Sequence, residues 1–181
     1  MYLNICRTLR MIANSEPHYY ICICMRITLI TVGKTDIPWV RAGLEMYVSR
    51  LEHYVPFSLR EIPELKGVSA LSKDQIKERE GELILKLVRP ADEVVLLDEH
   101  GKEFRSIEFA DWLGRRMAGS GRDLVFVIGG AYGFSPAVYG RADGKLSLSR
   151  MTFSHQLVRT IFAEQLYRAF TILRGEPYHH E

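Results

Sequence analysis

The sequence predicts an α/β fold built on a mainly parallel sheet with helices on both faces. Three observations carry this. From Arg26 onward, apolar strand-like runs alternate with segments of helical periodicity in the order βαβαβαβαβα, the pattern of successive parallel crossovers. The fourth strand-like run, Leu124–Ile128, is apolar throughout, as a central strand covered on both faces is. A chain of 181 residues with 47% hydrophobic and 25% charged content suffices for one domain with a real core.

Residues 26–32 read as a buried first strand. Val40, Leu44, Tyr47, Val48 and Leu51 then recur at helical spacing. Phe57–Ile62 reads as the second strand, and residues 66–74 as the most flexible loop. Ile76, Leu83, Ile84 and Leu87 make one helical stripe interrupted by Gly81, and residues 93–97, rich in valine and leucine, the third strand. Ser106 is expected to N-cap the next helix, with Glu108 and Asp111 near its positive end and Phe109, Leu113 and Met117 on its apolar face. Ser135-Pro136 opens a helix, with proline in the first turn. Residues 146–148 read as a short fifth strand, followed by a long helix from about His155 to Leu173.

Composition narrows the function classes. The net charge of +2 permits nucleic-acid binding without arguing for it. No apolar run approaches the roughly 18–20 residues that span a bilayer. Cys6, Cys22 and Cys24 all precede Met25, so the rest of the chain carries no disulfide framework and no thiolate metal site, which suits a reducing cytoplasm. The first 24 residues lack clear periodicity and the continuous apolar stretch of a signal peptide. Met25 therefore reads as the natural start, with residues 1–24 a leader outside the fold and residues 25–181 a single domain.

In open α/β sheets, ligands bind beyond the carboxyl ends of the strands. Three loops there, residues 96–101, 128–133 and 146–153, are expected to converge on one edge. Gly129-Gly130 lets a ligand approach the backbone, or simply makes a tight turn. Glycines at 129, 130 and 133 do not spell GxGxxG, and no GK[ST] follows, which argues against a dinucleotide dehydrogenase. Ser147, Ser149 and Thr152 surround Leu148 and Met151. Apolar walls with a few hydrogen-bonding groups suit a flat base, although Thr152 or Ser154 serves equally as a helix cap. The last helix carries the stripe Val158, Ile161, Phe162, Gln165, Leu166, Ala169, Leu173, bordered by His155 and Arg159. Glu164 and Arg168 sit i,i+4 on its other face, a surface ion pair or a functional one. Residues 145–181 hold five Lys/Arg against three Asp/Glu, a weak basic excess that makes the C-terminal part the side to face a nucleic acid if one binds.

Four stretches together resemble one family: Ile128-Gly129-Gly130-Ala131-Tyr132-Gly133; Leu146-Ser147-Leu148-Ser149-Arg150-Met151-Thr152-Phe153-Ser154-His155-Gln156; Glu164-Gln165-Leu166-Tyr167-Arg168-Ala169; and Pro177-Tyr178-His179. They look like the RlmH family, the bacterial 23S ribosomal RNA pseudouridine N3-methyltransferases of the SPOUT superfamily. The opening Met25-Arg26-Ile27-Thr28 and Val32-Gly33-Lys34 resembles the family's start, so the likeness runs over residues 25–181. It implies a C-terminal trefoil knot, otherwise nearly absent from proteins, a homodimer, and S-adenosyl-L-methionine (SAM) held by Leu97, Gly129, Leu148, Ser149, Arg150, Met151, Thr152 and Phe153. It also implies action on the assembled ribosome without a metal. The substrate side would comprise Glu164, Arg168, Tyr178 and His179, with His155 and Arg159 nearby and the tail reaching the partner subunit's site. Arg168 would stabilise negative charge on the base, Glu164 would orient Arg168 or accept the proton, and His179 would contact the flipped base or a phosphate. Ser154 stands where the family commonly has proline, and His179-His180 leaves open which histidine faces RNA. Alternatives are a SPOUT enzyme for another rRNA or tRNA base and a non-catalytic ribosome-associated RNA-binding module.

Overall fold

The computed structural model describes residues 25–119 and 121–179. Five strands, β1 (Ile27–Val32), β2 (Phe57–Ile62), β3 (Glu93–Glu103), β4 (Leu124–Ile128) and β5 (Gly144–Ser147), form one sheet in the order β2-β1-β4-β3-β5. Every neighbouring pair is parallel. The all-apolar β4 is the central strand, buried at all five positions. The helices are α1 (Pro38–Leu51), α2 (Lys73–Leu87), α3 (Ser106–Gly119), α4 (Pro136–Arg141) and α5 (Leu157–Leu173). The loop expected to be flexible holds a short 3-10 turn, Val68–Ala70.

Alternation along the strands divides the core in two. Ile27, Leu29, Phe126 and Ile128 point to one face and pack with residues of α1, α3 and α5 such as Leu44, Leu113, Phe162 and Leu166. Ile30, Val32, Val125 and Val127 point to the other and pack with Ile84 of α2 and Val138 of α4. The Gly81 that interrupts the α2 stripe marks the closest approach of α2 to α4, since a Cβ there would collide with Ser135 Oγ. Ser135 is also the α4 N-cap, accepting from Val138 N at 3.4 Å.

Three local expectations change. The third strand does not end at Leu97. It resumes at Lys102 after residues 98–101 bulge out, so that Leu146 of β5 pairs with both Leu97 and Lys102. Ser106 is not the α3 N-cap: Phe109 N bonds Arg105 O, Glu108 reaches back to Arg105 N at 3.0 Å, and Ser106 Oγ turns to Gln165 on α5 at 3.5 Å. Neither Thr152 nor Ser154 caps α5 through its side chain; the residue before that helix is Gln156. The readings on residues 1–24, their three cysteines and His180 lie outside the described residues.

Candidate active site

The carboxyl ends of β3, β4 and β5 open on a cleft of about 160 Å³, lined by Leu97, Asp98, Glu99, Ile128, the segment 146–149, residues 151–153 and Val158 of α5. A larger depression of about 500 Å³ beside Tyr139 and Lys145 lacks the residues of the three convergent loops, and the cleft is the one the sheet topology selects. Of the expected cofactor residues, Leu97, Leu148, Ser149, Met151, Thr152 and Phe153 line it. Gly129 lies immediately beyond Ile128 and is not on its surface. Arg150, with its side chain 90% exposed, turns to Glu103 at 3.5 Å.

The wall on the β3 side is built by the bulge. A Cβ on Gly101 would sit 2.5 Å from the carbonyl carbon of Leu146 and 2.6 Å from its nitrogen, so only glycine lets the bulge cross β5 this closely. Asp98 accepts from His100 N at 2.8 Å and Tyr139 Oη at 2.5 Å. Burial pushes Asp98 up, but the hydrogen bonds from Tyr139 and His100 outweigh it and hold its carboxyl below the usual range. Burial and the same carboxylate push the Tyr139 phenol up to about 12. On the β5 side, Ser147 Oγ donates to Ser149 O at 3.0 Å and Met151 N to Ser149 Oγ at 3.0 Å. That curl leaves Met151 76% exposed at the lip.

The Gly-Gly turn has a steric cause. A Cβ at Gly129 would meet the Phe134 ring at 3.1 Å, and one at Gly130 would meet Glu80 Oε2 at 2.5 Å. Gly133 closes the turn with φ +80° and donates to Gly130 O at 3.2 Å. Glu80 Oε2 is buried with no hydrogen-bond partner among the described residues. Burial, reinforced by Glu64, raises its carboxyl.

Two side chains fasten the start of α5, directly after the cleft segment, to the loop after β1. Gln156 Oε1 accepts from Asp36 N and Ile37 N, both at 3.2 Å, while its Nε2 donates to Asp36 Oδ1 at 2.5 Å. Arg159 was expected to face substrate, and the structure corrects this: it is 0% exposed. Its guanidinium donates to Val32 O at 2.6 Å, Gly33 O at 3.0 Å, Thr35 Oγ1 at 2.8 Å and His155 O at 3.0 Å. Burial pulls its pKa down against the opposing pull of Glu61, Asp36 and Glu64. Four internal acceptors and no exposed atom make it a structural clamp. His155 stays exposed at the helix entry.

The expected substrate-side residues form a second cluster on the far half of α5. Arg168 donates to Glu164 Oε1 from Nη2 at 2.5 Å and from Nε at 3.1 Å. Tyr178 Oη donates to the same oxygen at 3.1 Å, and Gln165 Nε2 to Oε2 at 2.6 Å. Glu164 thus holds Arg168 and Tyr178 through Oε1, while Oε2 accepts from Gln165 alone. The Arg168 guanidinium lies 4.8 Å over the Tyr178 ring. Burial, Tyr47 and Glu164 raise the Tyr178 phenol, which stays a donor at neutral pH. His179 is half-buried beside it. The sequence did not single out the surrounding rings of Tyr54 and Tyr167, or place Tyr47 beside Tyr178. Their recurrence with arginine near the helix ends is the signal that could have revealed them. The last cleft residue on α5 is Val158. Arg168 lies ten positions on along the same helix (158 to 168), a separation of roughly 15 Å at 1.5 Å per residue.

A doubly covered parallel sheet, with a cleft at its carboxyl ends and an ion-paired cluster on the helix that follows, places the protein in the α/β class with its candidate site at the strand ends. The chain belongs to the SPOUT methyltransferase family: the family model described as predicted SPOUT methyltransferase matches residues 25–179. Proteins named ribosomal RNA large subunit methyltransferase H are similar over nearly the same span. The relative from Phocaeicola vulgatus is 56% identical over 87% of this chain and 100% of its own length. That from Christiangramia forsetii is 54% identical over 86% of this chain and 99% of its own. Among solved structures, the SpoU methyltransferase AviRb from Streptomyces viridochromogenes, in complex with AdoMet, aligns with a TM-score of 0.42 at 14% identity, covering 82% of this chain and 58% of its own. No described helix is long and apolar enough to cross a membrane. Among the described residues, no group of three His, Cys, Asp or Glu is placed to hold a metal.

Proposed function

We propose that this protein is a SAM-dependent methyltransferase that methylates N3 of a pseudouridine in the 23S rRNA of the assembled ribosome, acting in the cytoplasm as a homodimer. The observation that carries the reading is the cleft itself. It is lined by Leu97, Leu148, Ser149 and residues 151–153, in a chain more than half identical, over their whole length, to relatives named for large-subunit rRNA methylation.

The residues fit the cofactor. Leu97, Ile128, Leu146, Leu148 and Val158 offer apolar walls to a flat base, and the curled backbone of 148–153 offers donors and acceptors. When bound, SAM supplies a methyl group activated by a positively charged sulfur. The chain's own task is alignment and charge control. N3 of the base becomes nucleophilic as its proton passes to the Glu164 carboxylate or through it to water, and negative charge then gathers on the flanking oxygens. Arg168 and Tyr178, held by Glu164, are preorganised donors for that charge, with His179 next to them in the tail.

The separation of this cluster from the cleft on the same chain supports a dimer in which each tail completes the partner's cleft. Trp39 and Met46, 65% and 43% exposed on α1, supply apolar surface for such a contact. We read the path from β4 through β5 into α5 as knotted. Support comes from β5 lying at the sheet edge while α5 returns over the central strand, with Phe162 4.7 Å from Phe126.

Methyl-labelled SAM supplied with unmethylated ribosomes, isolated subunits and tRNA tests the reading. Label is expected in large-subunit rRNA of the whole ribosome, at pseudouridine. Label in tRNA would replace it with another SPOUT substrate, and absence of any SAM-induced thermal shift would favour a non-catalytic module. Mixed dimers of Leu148→Arg and Arg168→Ala subunits should regain activity that neither parent shows; inactive mixtures would refute the shared site.

A further inference from the structure

The cleft at the strand ends has a charge asymmetry that alignment of the methyl group does not use. Its lining includes two carboxylates, Asp98 and Glu99, and no lysine, arginine or histidine among the described residues. The one cation in the segment 146–153, Arg150, turns away to Glu103. The two acids differ in setting. The Asp98 side chain is 6% exposed and is fixed by His100 N at 2.8 Å and Tyr139 Oη at 2.5 Å. These donors keep it ionised against the cost of burial. The Glu99 side chain is 66% exposed at the rim, with His100 Nδ1 at 3.9 Å. Lys145 acts on Asp98 from outside the cleft lining, its ammonium 5.6 Å over the Tyr139 ring.

We propose that Asp98, with Glu99 at the rim, makes the cleft select the methylated cofactor over its demethylated product by charge. The inference rests on the reading of this cleft as the SAM site. SAM carries a sulfonium and an ammonium against one carboxylate, so it has one net positive charge. On transfer, the N3 lone pair forms the new bond to carbon, and the electron pair of the broken carbon–sulfur bond stays on sulfur as a neutral thioether. The product, S-adenosylhomocysteine, therefore has no net charge. A carboxylate sheltered in the wall acts on such a difference with less screening than one in water. Because Tyr139 and His100 already hold it in place, it needs no reorganisation to do so. The attraction that retains SAM is absent for the product, which favours exchange of one for the other, and product release limits turnover in many enzymes.

The test is calorimetry on the full-length protein without ribosomes. The ligands are SAM, S-adenosylhomocysteine, and sinefungin, a SAM analogue in which a protonated amine stands in place of the sulfonium methyl. In Asp98→Asn, the Kd of SAM and of sinefungin should rise about five- to tenfold, while that of S-adenosylhomocysteine changes less than about twofold. Glu99→Gln should act in the same sense by about twofold, and added salt should erase its effect first. Lys145→Met removes an opposing charge and should tighten SAM and sinefungin by about twofold without moving the product. A merely structural role for Asp98 would weaken all three ligands together. An unchanged ratio of product Kd to SAM Kd in Asp98→Asn would overturn the proposal. Should that variant fail to fold, the opposite shifts of Glu99→Gln and Lys145→Met are both required, and the absence of either overturns it. If the wild-type protein binds none of the three ligands, the SAM-site reading has failed rather than this selectivity.

Discussion

Replacing Arg159 with methionine tests the assignment of this side chain as an internal clamp. Methionine matches the length of the aliphatic stem, so the cavity left behind is small. What disappears is the guanidinium, which makes four hydrogen bonds of 2.6–3.0 Å from a position of zero exposure and lies 3.7 Å from Glu61. The carbonyls of Val32, Gly33 and His155 and the Thr35 hydroxyl lose this donor, and Glu61 loses its cation. Removing one partner of a buried, hydrogen-bonded charge costs about 3–5 kcal/mol, above the roughly 1–3 kcal/mol for a single unsatisfied group. For a domain of this size that corresponds to a fall of about 6–20 °C in Tm. Arg159→Lys offers three donors from one point and should recover part of the loss. Urea unfolding at pH 7.5, with an unchanged m-value, measures both. A methionine variant within about 1 kcal/mol of the parent would refute the reasoning, because it would show that the acceptors around Arg159 are satisfied without it.

Arg168→Ala should keep SAM binding by calorimetry while losing methyl transfer; parallel loss of both would contradict a substrate-side role. Gly101→Ala drives a methyl group into the backbone of β5 at 2.5 Å, and should cost about 1–3 kcal/mol by thermal unfolding and weaken SAM binding, since β5 leads directly into the cleft segment. A stable variant with intact SAM affinity would show that the bulge is free to shift. Glu80 has its folded-state pKa raised by burial, so the fold favours its protonated form. Its stability contribution is therefore present at low pH and lost as pH rises from the ordinary carboxylate value, about 4.3, through the raised one. Glu80→Gln should accordingly be the more stable protein at pH 7, by about 1 kcal/mol or less given the water that remains around the side chain, with the advantage shrinking toward pH 4. A variant less stable than the parent at pH 7 would reverse that sign.

What could be read from the sequence was whatever depends on neighbours along the chain. β4 declared itself as central because all five of its residues are apolar, and the α4 start because Ser135 and Pro136 each suit their cap position. The bulge at 98–101 was not legible, because its cause is the approach of Gly101 to Leu146 of β5, a contact that no local pattern encodes. Arg159 failed for the same reason. An arginine bordering an apolar helical stripe looks solvent-facing, and only the carbonyls of Val32 and Gly33, more than a hundred residues earlier, turn it inward. The proposed functional division of α5 lies between these extremes. Helical rise alone sets Val158 and Arg168 roughly 15 Å apart, a separation already legible in the spacing of the two residues. What the spacing does not show is the pairing of Glu164 with Arg168, Tyr178 and Gln165, because Tyr178 reaches Glu164 only through the turn that follows the helix. In the proposed dimer a second copy would bring its own tail to the first copy's cleft and keep that pairing intact, whereas moving Arg168 toward its own chain's cleft would break the 2.5 Å bond to Glu164 and leave a carboxylate and its donors to be satisfied anew.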